Sequence, residues 1–446
     1  MTASVPSGGL GPGGSDREPR DGSDREPRGS DREPRDGSER GRRGGSGRPR
    51  DGSGNGRQAQ LAAIAADLFR RHGYHNVGVG DIAAAAGITA PAVYRHFPSK
   101  QAILGHAVLS GLDSFASTIA AALDSAAGGA GVERLGAVAS ATARLVVERR
   151  PLGALWRREG RNLPAADRAE LGVRARHATR VGVDLIRAVR PALSTADADL
   201  LCWAALSVFG SVSDHHVTLP KGRFEALLTE LALAVVASDA VPTRSGWPPS
   251  TTTRGGDGPL TTTAPRREQL LILAARMFRE HGFHGVTMED IGAAAGTTGP
   301  AVYRHFASKA DLLVAMCDRV GERLRAGVES ALPHPPPRAL RELTVSFVHT
   351  VLEHRDLVVA YLMEGHNLPD RHRTELRRLQ RHYLAQWVGV LTALDPALDE
   401  RAAKIRVHAA FTVVNDLART TRFAARPHLA NELVALAHAV LVQTAR

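Results

Sequence analysis

Residues 287–313 read TMEDIGAAAGTTGPAVYRHFASKADLL, and this stretch decides the fold. Thr287 is a candidate N-cap, and Asp290 lies in the first turn of the short helix that Thr287 would start. Gly296 permits a sharp turn after that helix. Pro300 suits the start of a second short helix, where its missing N–H group has no cost. The order of short helix, glycine turn and short helix predicts a helix-turn-helix unit.

The flanking residues predict the helices that support this unit. Apolar side chains recur between Leu270 and Phe278 with the spacing of an amphipathic helix, and Gly282 is well placed to end it. On the other side, Ser308 is a candidate cap for a helix that begins with Lys309. The expected head therefore has four helices.

The same pattern occurs twice in the chain. With a shift of 209 residues, positions 61–106 align with 270–315 without a gap, and 26 of the 46 residues are identical. The longest shared string is PAVYRHF, and further on GRNLP at 160–164 matches GHNLP at 365–369. We therefore expect two complete copies of one domain rather than two copies of a short motif.

Composition predicts an all-α protein with a tail and a linker. Alanine and leucine are strong helix formers, whereas the repeated SDREPR unit near the N-terminus offers almost no apolar surface to bury. A Pro-, Gly- and Thr-rich stretch separates the two copies. The expected organisation is a disordered tail at 1–56, a first domain at 57–238 (head 57–106, regulatory part 107–238), a linker at 239–264, and a second domain at 265–446 (head 265–315, regulatory part 316–446).

Charge and cysteine content restrict the function. The formal net charge of +11 favours an anionic partner such as nucleic acid. Two isolated cysteines predict neither a disulfide framework nor a cysteine zinc site, and no metal or cofactor is expected. We find no membrane-spanning stretch, no signal peptide and no motif of a common enzyme class, so the sequence predicts a cytoplasmic protein that is not an enzyme.

The two head sequences resemble the DNA-binding head of the TetR family. Three features carry the resemblance: Y-R-H-F at the end of the second short helix, a lysine three residues after that phenylalanine, and D-I-x-x-A-A-G in the preceding helix. Only four lysines occur in the chain, and two of them, Lys100 and Lys309, hold this position. The resemblance implies that the second short helix lies in the major groove of double-stranded DNA.

The resemblance also assigns DNA-contacting residues. The positions expected at phosphates are Tyr94, His96 and Lys100 in the first head, and Thr287, Tyr303, His305 and Lys309 in the second. The positions expected at base edges are Thr89, Ala90, Ala92 and Arg95, and in the second head Thr298, Gly299, Ala301 and Arg304. The alternatives are that the tyrosines belong partly to the core and that the histidines are merely solvated.

The first head departs from the second where its first short helix begins. Gly78-Val79-Gly80 replaces Thr287-Met288-Glu289, so the capping hydroxyl is missing. We expect that the first head either binds DNA more weakly or depends on its partner head, although its recognition-helix string is intact.

The residues after each head predict amphipathic helices, and the resemblance implies a helical regulatory domain with a cavity for a small-molecule effector. REGRNLP and MEGHNLP occupy matching positions, where their Glu and Asn side chains would either contact a ligand or cap the next helix. Candidate cavity residues, each of which is also a candidate for helical core, are Trp156, Glu159, Asn162, Trp203, Tyr361, Glu364, Asn367, Trp387 and Phe411.

Two assemblies are compatible with a tandem chain. Regulators of this kind bind palindromic DNA as two-fold dimers, and a linker raises the effective concentration of the second copy to about the millimolar range. One chain would then form an intramolecular pseudo-dimer, whereas a homodimer of tandem chains would carry four heads. The expected function is a ligand-responsive repressor, and the alternative is a sensor of a small molecule or partner with degenerate heads.

Overall fold

The computed structural model describes residues 52–150, 155, 159–239 and 265–442. These described residues form seventeen α-helices and four short 3-10 turns, without a β-strand. The prediction of an all-α fold is therefore confirmed. The predicted tail up to residue 51 and the linker residues 240–264 lie outside the described residues. The first helix begins at Gly52, inside the segment predicted to be tail.

The first head consists of α1 to α3 and the start of α4. Gly73 ends the first of these helices with a φ of +80°, and Gly87 makes the turn between the two short helices with a φ of +65°. Such angles suit glycine because it has no Cβ atom. The helices of the first copy are α1 (Gly52–His72), α2 (Val79–Ala85), α3 (Ala90–Tyr94), α4 (Lys100–Ser125), α5 (Gly131–Glu148), α6 (Ala165–Val189), α7 (Thr195–Gly210) and α8 (Lys221–Ala237).

The second copy repeats this order. In it, the structure also describes the helix Arg355–Met363, which comes directly before the 3-10 turn at Gly365–Asn367. The corresponding turn in the first copy is Gly160–Asn162. The helices of the second copy are α9 (Arg266–His281), α10 (Met288–Ala294), α11 (Gly299–Tyr303), α12 (Lys309–Ala331), α13 (Pro336–Glu353), α14 (Arg355–Met363), α15 (Asp370–Leu394), α16 (Glu400–Arg419) and α17 (Leu429–Leu441).

The regulatory parts of the two copies share one helix register. Helices α6 and α15 have equal lengths, and each end of α15 lies 205 residues after the matching end of α6. The same shift of 205 residues relates the 3-10 turns that precede these two helices, and it relates the N-cap of α7 to the N-cap of α16. This register reveals a difference in the cores, because four aromatic positions in the second copy hold small or aliphatic residues in the first. The pairs are Phe347 with Thr142, Tyr383 with Ala178, Trp387 with Gly182, and Phe411 with Leu206.

The last two helices of each regulatory part pack together as a four-helix bundle, in which α7 and α8 meet α16 and α17. Polar bonds at its edge connect the copies. Arg426 donates to Asp197 at 2.6 Å, and Arg422 donates to Asp199 at 3.0 Å. Within the second copy, Glu432 also binds Arg426, at 2.7 Å. Within this chain, the two copies therefore pack against each other as the subunits of a dimer would.

Two helical stretches, Lys100–Ser125 and Thr195–Ser213, are long and apolar enough to cross a membrane by length and composition. The expectation from the sequence concerned a run of about 18 apolar residues, which is a different criterion, so these two stretches do not contradict it. In the folded chain, 56% of the second stretch is buried. A core helix of a soluble protein also passes such a test.

Candidate nucleic-acid interface

Each head holds its second short helix on a small buried framework. In the first head, Ile82, Val93 and Phe97 are buried together with Leu61 and Phe69 of α1. The sequence repeat places equivalent residues in the second head. There the two short helices approach closely at Gly292, where a Cβ atom would lie only 2.8 Å from the carbonyl carbon of Thr298. The framework thus fixes which residues of α3 and α11 face outward.

The exposed ends of α3 and α11 carry a tyrosine and an arginine. The exposed fraction is 54% for Tyr94 and 48% for Tyr303, although large apolar residues are usually buried. The next residues, Arg95 and Arg304, are also exposed. Tyr94 and Tyr303 are therefore surface residues, and the alternative that they belong partly to the core is not favoured.

The other predicted base-reading positions differ in accessibility. Thr89 and Thr298 are exposed at the N-caps of α3 and α11. Gly299 is buried, and a Cβ atom there would lie 3.1 Å from Oε1 of Glu289. Any DNA contact at Gly299 would therefore use the backbone. Ala90, Ala92 and Ala301 are half-buried.

The two predicted phosphate-binding histidines also differ. His305 is exposed, whereas His96 is half-buried, and its backbone carbonyl accepts a hydrogen bond from Gln58 at 3.1 Å. The DNA contacts assigned to both histidines stay predictions.

The equivalent position of the two lysines in the two heads has a structural explanation that the sequence did not provide. Nζ of Lys100 donates to the carbonyl oxygens of Tyr74 and Val77, both at 2.9 Å. Nζ of Lys309 donates to those of Phe283 and Val286, at 2.6 and 2.7 Å. Each ammonium group therefore closes the turn between the first two helices of its head. Burial lowers the pKa of both lysines. Nζ of Lys100 also lies 4.2 Å from the centroid of the Tyr74 ring, and Nζ of Lys309 lies 4.4 Å from that of Phe283. The phosphate contacts of both lysines stay predictions.

The caps of α2 and α10 differ as the sequence indicated. Thr287 Oγ1 accepts a hydrogen bond from the backbone N–H of Asp290 at 3.1 Å, and Asp290 accepts one from the N–H of Thr287 at 2.8 Å. In the first head only the second bond exists, from the N–H of Gly78 to Asp81 at 2.7 Å. The N-terminus of α2 therefore lacks one of the two capping bonds.

The REGRNLP and MEGHNLP segments connect each regulatory part to its head. Glu159 accepts a hydrogen bond from the backbone N–H of Tyr74 at 3.2 Å and one from Asn162 at 2.7 Å. The ring of His75 is 3.1 Å from the amide oxygen of Asn162. Burial raises the pKa of Glu159. These side chains form hydrogen bonds to the head. The sequence had suggested two roles for them, ligand contact and helix capping, and neither role included a bond to the head.

The second copy has the equivalent joint, and the two joints meet. Asn367 donates to Glu364 at 2.8 Å, and His284 is 2.9 Å from Asn367. The ring centroids of His75 and His284 lie 5.0 Å apart. Burial lowers the pKa of His75, an effect that the hydrogen bond to Asn162 opposes and nearby His284 reinforces. Neither histidine was among the site residues predicted from the sequence, although each follows a head glycine at the same offset in the two copies.

The remaining cavity candidates fall in different places. Trp203 lines an apolar cavity of about 140 Å³ that is formed by the first regulatory part together with Asp416 of the second copy. Tyr361 and Phe411 line a larger cavity, to which Glu159 also contributes. Trp387 is buried among aromatic side chains with only 1% of its surface exposed. Trp156 lies outside the described residues. Ligand contact by these residues stays a prediction.

Comparison with protein families gives two matches to the heads. A family model described as bacterial regulatory proteins, tetR family, matches residues 61–107 and again residues 270–316. A second model, described as the C-terminal domain of tetracyclin repressor-like proteins, matches residues 334–419. The fold and these matches define a helix-turn-helix protein that carries two heads.

Curated relatives agree with this class. The chain is 30% identical over 152 residues to the HTH-type transcriptional repressor KstR2 of Rhodococcus jostii. The match covers 33% of this chain and 70% of that protein. It is 42% identical over 67 residues to the HTH-type transcriptional activator FasR of Mycolicibacterium smegmatis, and this match covers 15% of this chain and 31% of the relative. The chain belongs to the TetR family.

A third relative and one solved structure complete the comparison. KstR2 of Mycobacterium tuberculosis is 33% identical over 131 residues, which is 28% of this chain and 64% of that protein. The structure of the ketosteroid transcriptional regulator KstR2 of that organism matches with 25% identity and a TM-score of 0.35, and the match covers 41% of this chain and 93% of that chain. The chain spans from a third to two thirds of the length of the first curated relatives it matches.

Proposed function

We propose that the protein is a sequence-specific transcriptional regulator that binds double-stranded DNA with two heads in one chain. The observation that carries the proposal is the exposed tyrosine and arginine on the outward end of both second short helices. A buried framework holds each pair at the surface, so that the tyrosine hydroxyl is available to a phosphate and the guanidinium to a guanine edge. The net charge of +11 supports an anionic partner.

The proposed assembly is an intramolecular pseudo-dimer. The four-helix packing of α7, α8, α16 and α17 supports it, because both partners of that packing come from one chain. Two heads that differ at Ala90 and Gly299 would bind an asymmetric operator. A homodimer of tandem chains would instead present four heads, and analytical ultracentrifugation of the protein bound to DNA distinguishes two heads from four.

The proposed mode of regulation is repression that a small-molecule effector relieves. Cavities in the regulatory parts and the polar joints between these parts and the heads support it. We further propose a cytoplasmic location, no enzymatic activity, and no resident metal or cofactor. The curated relatives named above are described as transcriptional repressors or activators, which supports a role in regulation without fixing its sign.

The test is fluorescence anisotropy with the promoter fragment of the gene itself at two salt concentrations. Tyr94→Ala and Tyr303→Ala should each weaken specific binding by about ten-fold, which is roughly the value of one lost charge-assisted contact, and the double variant should abolish it. Affinity should fall steeply as salt rises, because phosphate contacts release counterions. Arg325→Ala, which removes an exposed arginine from α12, is the control and should leave specificity unchanged.

The outcomes separate the alternatives. If only Tyr303→Ala weakens binding, the first domain acts as a dimerisation or sensing partner, which the missing cap at Gly78 would favour. If wild-type binding is weak and insensitive to salt, the DNA-binding proposal is wrong. The chain would then be a sensor with degenerate heads.

A further inference from the structure

A cavity with a volume of about 1050 Å³ lies between the two copies. The first copy contributes Phe69, Arg70 and Arg71 at the end of α1 and the segment 214–217. The second copy contributes residues from α12 to α16. A molecule bound here would therefore contact one head and the regulatory part of the other copy at the same time.

Aromatic side chains form one wall of this cavity. The ring centroids of Phe347 and Phe411 lie 4.6 Å apart, and those of Tyr383 and Phe411 lie 5.7 Å apart. The first copy has Thr142, Ala178 and Leu206 at these three positions, so the aromatic wall exists in one copy only. Such a wall favours a flat apolar group, because aromatic rings pack well in offset or edge-to-face arrangements.

Two buried polar atoms of residues that line the cavity have no hydrogen-bond partner among the described residues. They are Nε2 of His215 and Oδ1 of Asn415. Nδ1 of His215 accepts a hydrogen bond from the N–H of Val217 at 3.1 Å, so Nε2 carries the proton and is a donor. An unsatisfied buried polar atom costs about 1–3 kcal/mol, and a ligand with a hydroxyl or carbonyl group would satisfy one or both.

Positive charge dominates the lining of the cavity. Among the described residues that line the cavity there are eight arginines and three carboxylates. Several of these arginines are bound by acidic side chains, as Arg70 is by Asp67 at 2.9 Å. In the described part of the chain, Arg377 and Arg381 form no ion pair, and both are exposed. A guanidinium without a carboxylate partner at a cavity mouth is suited to an anionic group.

We propose that this cavity shared by the two copies binds one amphipathic anion per chain. Its apolar ring system would pack on Phe347 and Phe411, and its carboxylate or phosphate would lie at Arg377. This inference rests on the ligand-responsive part of the proposed function and names its ligand class. Because Arg70 and Arg71 belong to α1, binding would link the position of the first head to the second regulatory part.

The test is isothermal titration calorimetry on the full chain without DNA. Three probes share a naphthalene ring: 2-naphthyl phosphate, 2-naphthoate and the neutral 2-naphthalenemethanol. At least one of the two anions should bind with a stoichiometry of one and at least ten-fold more tightly than the alcohol. The relative affinity of phosphate and carboxylate then identifies the anionic group of the natural ligand.

Two neighbouring arginines provide a matched pair of variants. Arg377→Ala should weaken binding of the anions about ten-fold and leave the alcohol unaffected. Arg378→Ala should change neither, because Arg378 lies outside the cavity and is paired with Glu375 at 2.7 Å. Both side chains are exposed, so both variants should fold.

Three results would overturn the inference: no binding of either anion at millimolar concentration, equal affinity for the anions and the alcohol, or an Arg377→Ala variant that behaves like Arg378→Ala. Failure of the proposed DNA binding is recognised separately, because the anisotropy experiment uses no ligand and the calorimetry uses no DNA. If the protein binds the anions but not DNA, the inference about the cavity stands and the proposed function as a DNA-binding regulator is wrong.

Discussion

The guanidinium of Arg161 in the first copy donates to the carboxylate of Glu364 in the second. Glu364 is only 2% exposed, and Arg161 also reaches the carbonyl oxygen of Phe278 near the end of α9, at 3.4 Å. The position of the second copy that is equivalent to Arg161 is His366. Its ring lies against Gly73 of the first head, since a Cβ atom added to Gly73 would be 2.5 Å from Nε2 of His366. Each regulatory part therefore touches the head of the other copy at the end of that head's first helix.

Arg161→Met should loosen the second head. The change removes a partner of the buried Glu364 carboxylate, which then keeps, among the described residues, its bond from Asn367, and an uncompensated buried charge costs about 3 kcal/mol. Amide hydrogens at the end of α9 should then exchange about 100-fold faster in native-state hydrogen exchange. Arg180→Met, on the exposed surface of α6, is the control. Unchanged exchange in Arg161→Met would mean that the cross-copy bond contributes nothing to head position.

Acidification should destabilise the contact between the copies at His215 and His408. Their ring centroids lie 4.7 Å apart, one histidine from each copy. Burial, together with the charge of the neighbouring histidine, lowers the pKa of His215 to about 2. Burial also lowers the pKa of His408 to about 4, although Asp214 opposes this shift. Below a pH of about 6.5 the unfolded chain binds protons that the folded chain does not, so stability falls as the pH falls.

Each histidine should cost about 2 kcal/mol of unfolding free energy between pH 7.5 and pH 5, and the loss continues toward the pKa of the folded state. Urea unfolding at the two pH values measures it. His215→Gln and His408→Gln should each make the pH dependence shallower, whereas His216→Gln, at an exposed neighbour, should not. An equal slope in all four proteins would show that the buried pair is not responsible.

The missing cap of α2 can be restored. The backbone at Gly78 is extended, with φ −90° and ψ 165°, and the nearest atom to an added Cβ would be Oδ2 of Asp81 at an ordinary 3.4 Å. Gly78→Ser should therefore stabilise α2 by about 0.3 kcal/mol, because glycine is already a tolerated N-cap, and Thr287→Ala should destabilise α10 by about 1 kcal/mol. Hydrogen exchange within each helix measures both changes. If Gly78→Ser does not slow exchange in α2, the missing hydroxyl does not explain the difference between the heads.

Local sequence was sufficient for the heads because their signals lie within a few residues. The apolar spacing from Leu270 to Phe278, the glycines with positive φ and the cap at Thr287 all act over one or two helical turns. The repeat was equally visible, since 26 identities in 46 aligned residues need no structure. The exposed tyrosines also follow from the helix period once Phe97 and Phe306 are assigned to the core.

The sequence by itself determined that this chain is all-α and that it holds two helix-turn-helix heads. Only the tertiary structure decided that Lys100 and Lys309 close turns, that Glu159 holds Tyr74, and that Arg161 crosses to Glu364. The physical reason is separation along the chain. Helix periods and caps are short-range, whereas these bonds join residues that are 23 to 203 positions apart, and only the packing of the two copies brings such partners together.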